Sequence, residues 1–231
     1  PSAEVNQPAP QVVCNGTFTT LVNFSSNNLG GVTTYSWTNN NTTIGLASNG
    51  IGALPSFNAV NTGTTPVIAT IEVTPIYTNG SQSCTGATKI FTITVNPSAE
   101  VVQPISTTLC NGENSSVINF TSINSVGTTT YTWTNTNVSI GLGANGSGPI
   151  PMFTAVNNGT APITSTITVT PVFTNGGLNC LGSSLGSSKT FTITVNPSGQ
   201  VNQPSSQELC NGANTTPINF NTVNSVGTTT Y

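Results

Sequence analysis

Phe91-Thr92-Ile93-Thr94-Val95-Asn96-Pro97-Ser98 returns letter for letter as Phe191-Thr192-Ile193-Thr194-Val195-Asn196-Pro197-Ser198. Phe91, Ile93 and Val95 alternate with Thr92 and Thr94, the period of a strand with one buried face. Asn96-Pro97 then ends it, because proline has no N–H to give a ladder. The octapeptide therefore reads as a last strand running into a linker. Pro1-Ser2-Ala3-Glu4-Val5 matches Pro97-Ser98-Ala99-Glu100-Val101, so a repeat begins at residue 1. Spacings of 97 − 1 = 96 and 197 − 97 = 100 residues divide the chain into 1–96, 97–196 and a third part, 197–231. Tyr231 aligns with Tyr131 and Tyr35. The third part thus reads as the start of another repeat, and the sequence as a slice of a longer protein.

About 100 residues is the size of a domain with its own core, not of a solenoid unit. The pattern inside the repeat is short strands and polar turns. Val22 and Phe24 share a face and correspond to Ile118 and Phe120, then Ile218 and Phe220; Val117 is replaced by Pro217, which marks an outward site. Tyr35 and Trp37, two apart, recur as Tyr131 and Trp133. They read as core rather than as a sugar-binding face. Further strands are expected at Ile44 and Leu46, at Phe57 and Ala59, and, as the longest, from Val67 through Ala69, Ile71 and Val73. Thr78-Asn79-Gly80 and Thr174-Asn175-Gly176 turn the chain toward the last strand, where the second copy has four extra residues (LGSSLGSS against TGAT). The expected fold class is all-β, a tandem of antiparallel sandwiches of about seven strands each.

Charged residues are 3% of the chain, with five glutamates, two lysines and no Asp, Arg or His. That is too little positive charge for a nucleic-acid footprint. No apolar run approaches the roughly 20 residues of a membrane helix, so no membrane insertion is expected. Nucleophilic catalysis lacks a base, since Lys89 and Lys189 read as edge charges. Paired carboxylates are missing too: Glu113 has no counterpart in the first copy. Calcium would have only Glu4 or Glu100, which becomes Gln200. No enzyme activity, catalytic residue, cofactor or metal is expected. Asn-x-Ser/Thr triplets such as Asn15-Gly16-Thr17 read as products of an Asn-, Thr- and Ser-rich composition.

The cysteines are Cys14, Cys84, Cys110, Cys180 and Cys210, and both 84 − 14 and 180 − 110 equal 70. The simplest pairing is one bridge per repeat, Cys14 with Cys84 and Cys110 with Cys180, leaving Cys210 unpaired. Free buried thiols and an inter-repeat bridge such as Cys84 to Cys110 stand as alternatives. A zinc site is disfavoured without histidine or Cys-x-x-Cys. Disulfides place the chain in an oxidising, extracytoplasmic compartment.

Tyr35-Ser36-Trp37-Thr38-Asn39, Ile44-Gly45-Leu46, Pro55-Ser56-Phe57, Ala69-Thr70-Ile71-Glu72-Val73-Thr74-Pro75, a cysteine in the next loop, and Phe91 to Pro97 occur in order, and again from Tyr131 to Pro197. This array resembles the PKD-like repeat of very large surface proteins of Bacteroidota. The resemblance implies an immunoglobulin-like sandwich, type IX secretion and display on the cell surface. It also implies a structural stalk in an adhesin of the kind used for surface adhesion or gliding motility. The expected partners are neighbouring repeats of the same chain, with polysaccharide or an external surface engaged elsewhere. The alternatives are a glycan- or self-binding module, or a spacer in a secreted enzyme. The aspartates and WDFGDG-type segment of the wider PKD family have no counterpart, so no ligand-binding residues carry over.

Overall fold

The computed structural model describes residues 2–182 and 187–231, so part of the expected four-residue insertion lies outside the described residues. The chain separates into two compact units. One comprises Pro1–Val102, Thr121–Thr130 and Thr170–Ser188, the other Gln103–Phe120, Tyr131–Val169 and Lys189–Tyr231. Among the described residues, twelve strands fall into two six-stranded sheets of the same order.

In the first sheet, β1 (Gln11–Cys14), β2 (Val32–Asn39), β3 (Asn49–Ile51), β4 (Val67–Asn79), β5 (Gln82–Thr85) and β6 (Lys89–Asn96) run in the order β1-β6-β4-β2-β3, with β5 also on β4. β1 lies parallel to β6 and the other pairs are antiparallel. The long β4 shows why period two was legible: Ala69, Ile71 and Val73 are fully buried while their neighbours are not. Pro75 sits inside this central strand, where proline would ordinarily leave a gap in the ladder. Here β4 changes partner. Residues up to Val73 pair with β6 and those from Ile76 pair with β5. At the switch only the Pro75 carbonyl is used, accepting from Gly86 N–H at 2.9 Å.

β7 (Thr107–Cys110), β8 (Thr128–Asn135), β9 (Asn145–Ser147), β10 (Ile163–Asn175), β11 (Leu178–Leu181) and β12 (Lys189–Asn196) form the second sheet, ordered β7-β12-β10-β8-β9 with β11 on β10. β7 is parallel to β12 in the register that β1 keeps with β6. The expected turns at Asn79-Gly80 and Asn175-Gly176 lead into the short β5 and β11 rather than directly into the last strands. Gly176 and Gly177 both have positive φ, 59° and 74°, as the favoured two-residue hairpin turn requires.

The layer facing the first sheet is less regular than period two suggested. Residues 16–22 run antiparallel to 54–59, yet only isolated bridges form, at Phe18 with Asn58 and Val22 with Leu54. The cause is Thr19, which is buried and whose hydroxyl, not its carbonyl, accepts the Phe57 N–H at 3.1 Å. In the other unit the Ser115 hydroxyl takes the Phe153 N–H at 3.0 Å in the same way. Side-chain competition for ladder hydrogen bonds breaks the strands while preserving their burial pattern. Leu54, Phe57 and Ala59 pack on Ile71, Ile93 and Val95, with Val22 and Phe24 half-buried against them.

Ile44 and Leu46 are buried as expected, but not from a strand. Thr42–Ile44 is a 3-10 turn capped by the Asn41 side chain and closed by Gly45 at φ 95°. Val138–Ile140 repeats it with Asn137 and Gly141. In the third part of the chain Ile218 and Phe220 are 52% and 54% exposed, against the expectation that they are core. Residues 197–231 contain no described strand, so these side chains have no sheet of their own to face.

Trp37 confirms the core reading, buried between β3 and β4 at the positions of Gly50 and Val73. A Cβ at Gly50 would run into its indole ring. Gly146 stands to Trp133 in the same way. Gly50→Ala is therefore expected to lower stability by about 2 kcal/mol through overpacking, read as a fall in the urea midpoint. An unchanged midpoint would contradict this packing.

Candidate functional site: a cystine contact and its asparagine clamps

β1 ends at Cys14, which lies in register with Asn96 at the end of β6. Cys180 lies in β11, opposite Phe173 of β10. The structure bonds Cys14 to Cys180, with Cα atoms 5.5 Å apart and a sequence separation of 166. Cys180 is fully buried, whereas Cys84, Cys110 and Cys210 are free and exposed. The expected pairings Cys14–Cys84 and Cys110–Cys180 are thus corrected. The reason is strand length. Asn96 follows Val95, which faces Val67, whereas Cys84 faces Tyr77. Ten residues along β4 is about 34 Å, and a disulfide needs Cα atoms within roughly 7 Å. The same count separates Cys110, at Asn196, from Cys180, because Val195 faces Ile163 and Cys180 faces Phe173. Cys84 and Cys110 are free but exposed, so the buried-thiol alternative does not describe them, and the Cys84–Cys110 alternative does not occur.

Paired amides flank the cystine. Asn96 is fully buried; its Nδ2 donates to the Asn175 carbonyl at 3.0 Å, and Asn175 Nδ2 donates back to Asn96 Oδ1 at 2.9 Å. Asn15 Nδ2 donates to Ser98 Oγ at 3.0 Å, and the Ser125 N–H to the Thr64 carbonyl at 3.1 Å. The Asn96–Asn175 pair holds the end of β6 against the β10–β11 hairpin without any charge.

Asparagine also fixes the linkers. Asn28 Oδ1 accepts the Glu4 N–H at 2.8 Å while its Nδ2 donates to the Ser2 carbonyl. Asn124 does the same for Glu100 and Ser98, and Asn224 for Gln200 and Ser198. The clamp uses backbone N–H groups, so it accepts Glu or Gln alike at this place. Nothing in the sequence period marks these asparagines; their 24-residue offset from the held N–H was the available signal.

Asn61 is a buried amide with every side-chain donor in use. Its Nδ2 donates to the carbonyls of Thr65 and Val95 at 2.8 and 2.7 Å, and its Oδ1 accepts from Gly63 N–H at 2.9 Å. Asn157 repeats this with Ala161, Val195 and Gly159. Asn61→Asp keeps the shape but sets a carboxylate oxygen against two carbonyls. It is expected to lower stability by about 3 kcal/mol at neutral pH. The loss shrinks as pH falls through the carboxylate range, because the protonated acid regains one donor. A pH-independent loss would contradict the bonding described.

Glu4, Glu100 and Lys89 are exposed and Lys189 half-buried. The Glu113 carboxylate accepts the Cys110 N–H at 2.8 Å. Burial pushes the Tyr35 phenol above its ordinary value, opposed by a hydrogen bond with Ser26. Among the described residues, no cluster of three His, Cys, Asp or Glu side chains could hold a metal ion. No described helix is long and apolar enough to cross a membrane.

No protein-family model matches the chain, and no curated protein matches it. Among solved structures it is similar to human CDH23 EC21-23, at 10% identity over 95% of this chain and 84% of that one, with a TM-score of 0.45. The I9-I11 tandem from titin matches at 10% identity over 87% of this chain and 68% of that one, with a TM-score of 0.35. A SusE-like surface located polysaccharide binding protein from the heparin utilisation locus of Bacteroides thetaiotaomicron matches at 15% identity, with a TM-score of 0.29, over 86% of this chain and 36% of that one.

Proposed function

We propose that the chain is a structural segment of a large repetitive cell-surface adhesin, made of PKD-like modules at 1–96 and 97–196 and the opening part of another at 197–231. It acts in surface adhesion or gliding motility as a stalk that carries load between the cell and an adhesive region elsewhere. The observation that carries this reading is the Cys14–Cys180 bond, which ties a strand end in the first copy to a hairpin in the second. A bond of that kind is useful to a module that is pulled. Threonine, serine and asparagine surfaces, and amide clamps in place of ion pairs, make the same contacts insensitive to ionic strength. A disulfide supports an oxidising compartment, in keeping with secretion and surface display.

Antibody raised against this chain and applied to intact producing cells tests the reading. Labelling along extended surface projections, with attachment to glass reduced by the Fab, is the expected result. Labelling that appears only after permeabilisation would overturn it.

A further inference from the structure

The bonded pair, Cys14 and Cys180, has an unbonded counterpart of each member: Cys110 occupies in β7 the place of Cys14 in β1, and Cys84 occupies in β5 the place of Cys180 in β11. The registers are the same, Cys14 at Asn96 and Cys110 at Asn196, Cys180 at Phe173 and Cys84 at Tyr77. We propose that Cys110 is a half-cystine whose partner is the hairpin cysteine of a further repeat of this kind following it. By the same rule, Cys84 is the hairpin cysteine that bonds the β1-type cysteine of a repeat preceding it.

Three observations carry the assignment. First, the contacts that accompany the Cys14–Cys180 bond recur around Cys110. Asn111 Nδ2 donates to Ser198 Oγ at 3.0 Å as Asn15 does to Ser98, and the Ser225 N–H donates to the Thr160 carbonyl at 3.0 Å as Ser125 does to Thr64. The chain after Ser198 is thereby set in the course that the chain after Ser98 follows. Second, the identical octapeptides differ in cover. Asn96 and Pro97 are buried, with Asn96 bonded to Asn175, whereas Asn196 and Pro197 are only half-buried. Third, an open pocket borders Cys110, Asn196, Pro197 and Val226. Its chemistry, a thiol beside a primary amide, is that of the Cys14 and Asn96 pair that receives the Asn175 and Cys180 hairpin. The first copy's own hairpin offers the matching groups, with Asn79 and Cys84 both exposed.

Bond formation joins Cys110 Sγ to the hairpin Sγ. The two thiols lose two protons and two electrons to a disulfide-bearing oxidant, which is released as two thiols. Each repeat would then be bonded to both neighbours. This holds whatever the array displays, so it stands or falls separately from the adhesin reading.

The test extends the full chain by joining Thr132–Asn196, the stretch that follows the aligned Tyr131, after Tyr231. The extended chain is refolded in glutathione disulfide and glutathione, alkylated, digested without reduction and mapped by mass spectrometry. The expected map shows Cys14 bonded to Cys180, Cys110 bonded to the appended hairpin cysteine, and Cys84 and Cys210 alkylated. An intact Cys14–Cys180 bond with Cys110 alkylated, or bonded to Cys84 or Cys210, would overturn the proposal. Should the extended chain not fold, the same map is made on the full-length protein released from producing cells. There Cys110 bonded to a downstream hairpin cysteine supports the assignment, and Cys110 bonded to Cys180 or left as a thiol overturns it.

Discussion

Pulled from its two ends with the remaining thiols alkylated, the oxidised chain stops about 580 Å short of the length it reaches once reduced. The difference is the separation of 166 along the sequence between Cys14 and Cys180, each step worth roughly 3.5 Å when extended. Load entering at the N-terminus reaches Cys14, crosses the bond, and leaves along the chain after Cys180. Everything from Asn15 to Asn179, including β2 to β10, lies outside the path. Among the described strands, only β1, the end of β11 and β12 are peeled before the bond is taut. Force spectroscopy with and without a phosphine reductant reads this directly. Full extension of the oxidised chain would contradict it.

Replacing both bonded cysteines, Cys14→Ser with Cys180→Ser, is expected to lower stability by about 5 kcal/mol. That is the chain-entropy figure for a loop of this length and an upper value, since the reduced unfolded state is not a random coil. The flanking bonds between Asn96 and Asn175 remain in the variant, so the folded state keeps its hairpin contact and the loss comes chiefly from the freed unfolded chain. Cys84→Ser with Cys110→Ser is the control. Both side chains are exposed and unbonded, and the urea midpoint is expected to stay where it is. A wild-type midpoint in the Cys14 and Cys180 variant, or an equal fall in the control, would contradict the assignment of the bond.

The sequence showed the sheet well and the bond badly, for one physical reason. Alternation in β4 and β6 is a local property, and Ala69, Ile71, Val73, Ile93 and Val95 are buried as their pattern says. Burial was legible even where the strand was not: Ile44 and Leu46 face inward from a 3-10 turn, and Phe57 from a layer whose ladder Thr19 interrupts. A hydroxyl that replaces a carbonyl as acceptor leaves no mark in hydrophobic period. The cysteines failed differently. A constant spacing of 70 residues looked like a loop to be closed, but it spans a strand of 13 residues, whose rise of about 3.4 Å per residue sets the two thiols at opposite ends of a sheet. Strand length, already visible in the alternation, excluded closure within a repeat and left a neighbouring repeat as the partner. The clamps of Asn28, Asn124 and Asn224 were hidden by composition, since an Asn-rich surface gives no contrast for an asparagine with a task.

Which cysteines are joined is read most directly by a peptide map of the folded 231-residue chain, digested without reduction after its thiols are blocked. The expected map shows one cross-linked species, joining the peptides of Cys14 and Cys180, with Cys84, Cys110 and Cys210 blocked. Two cross-linked species, Cys14 with Cys84 and Cys110 with Cys180, would contradict it.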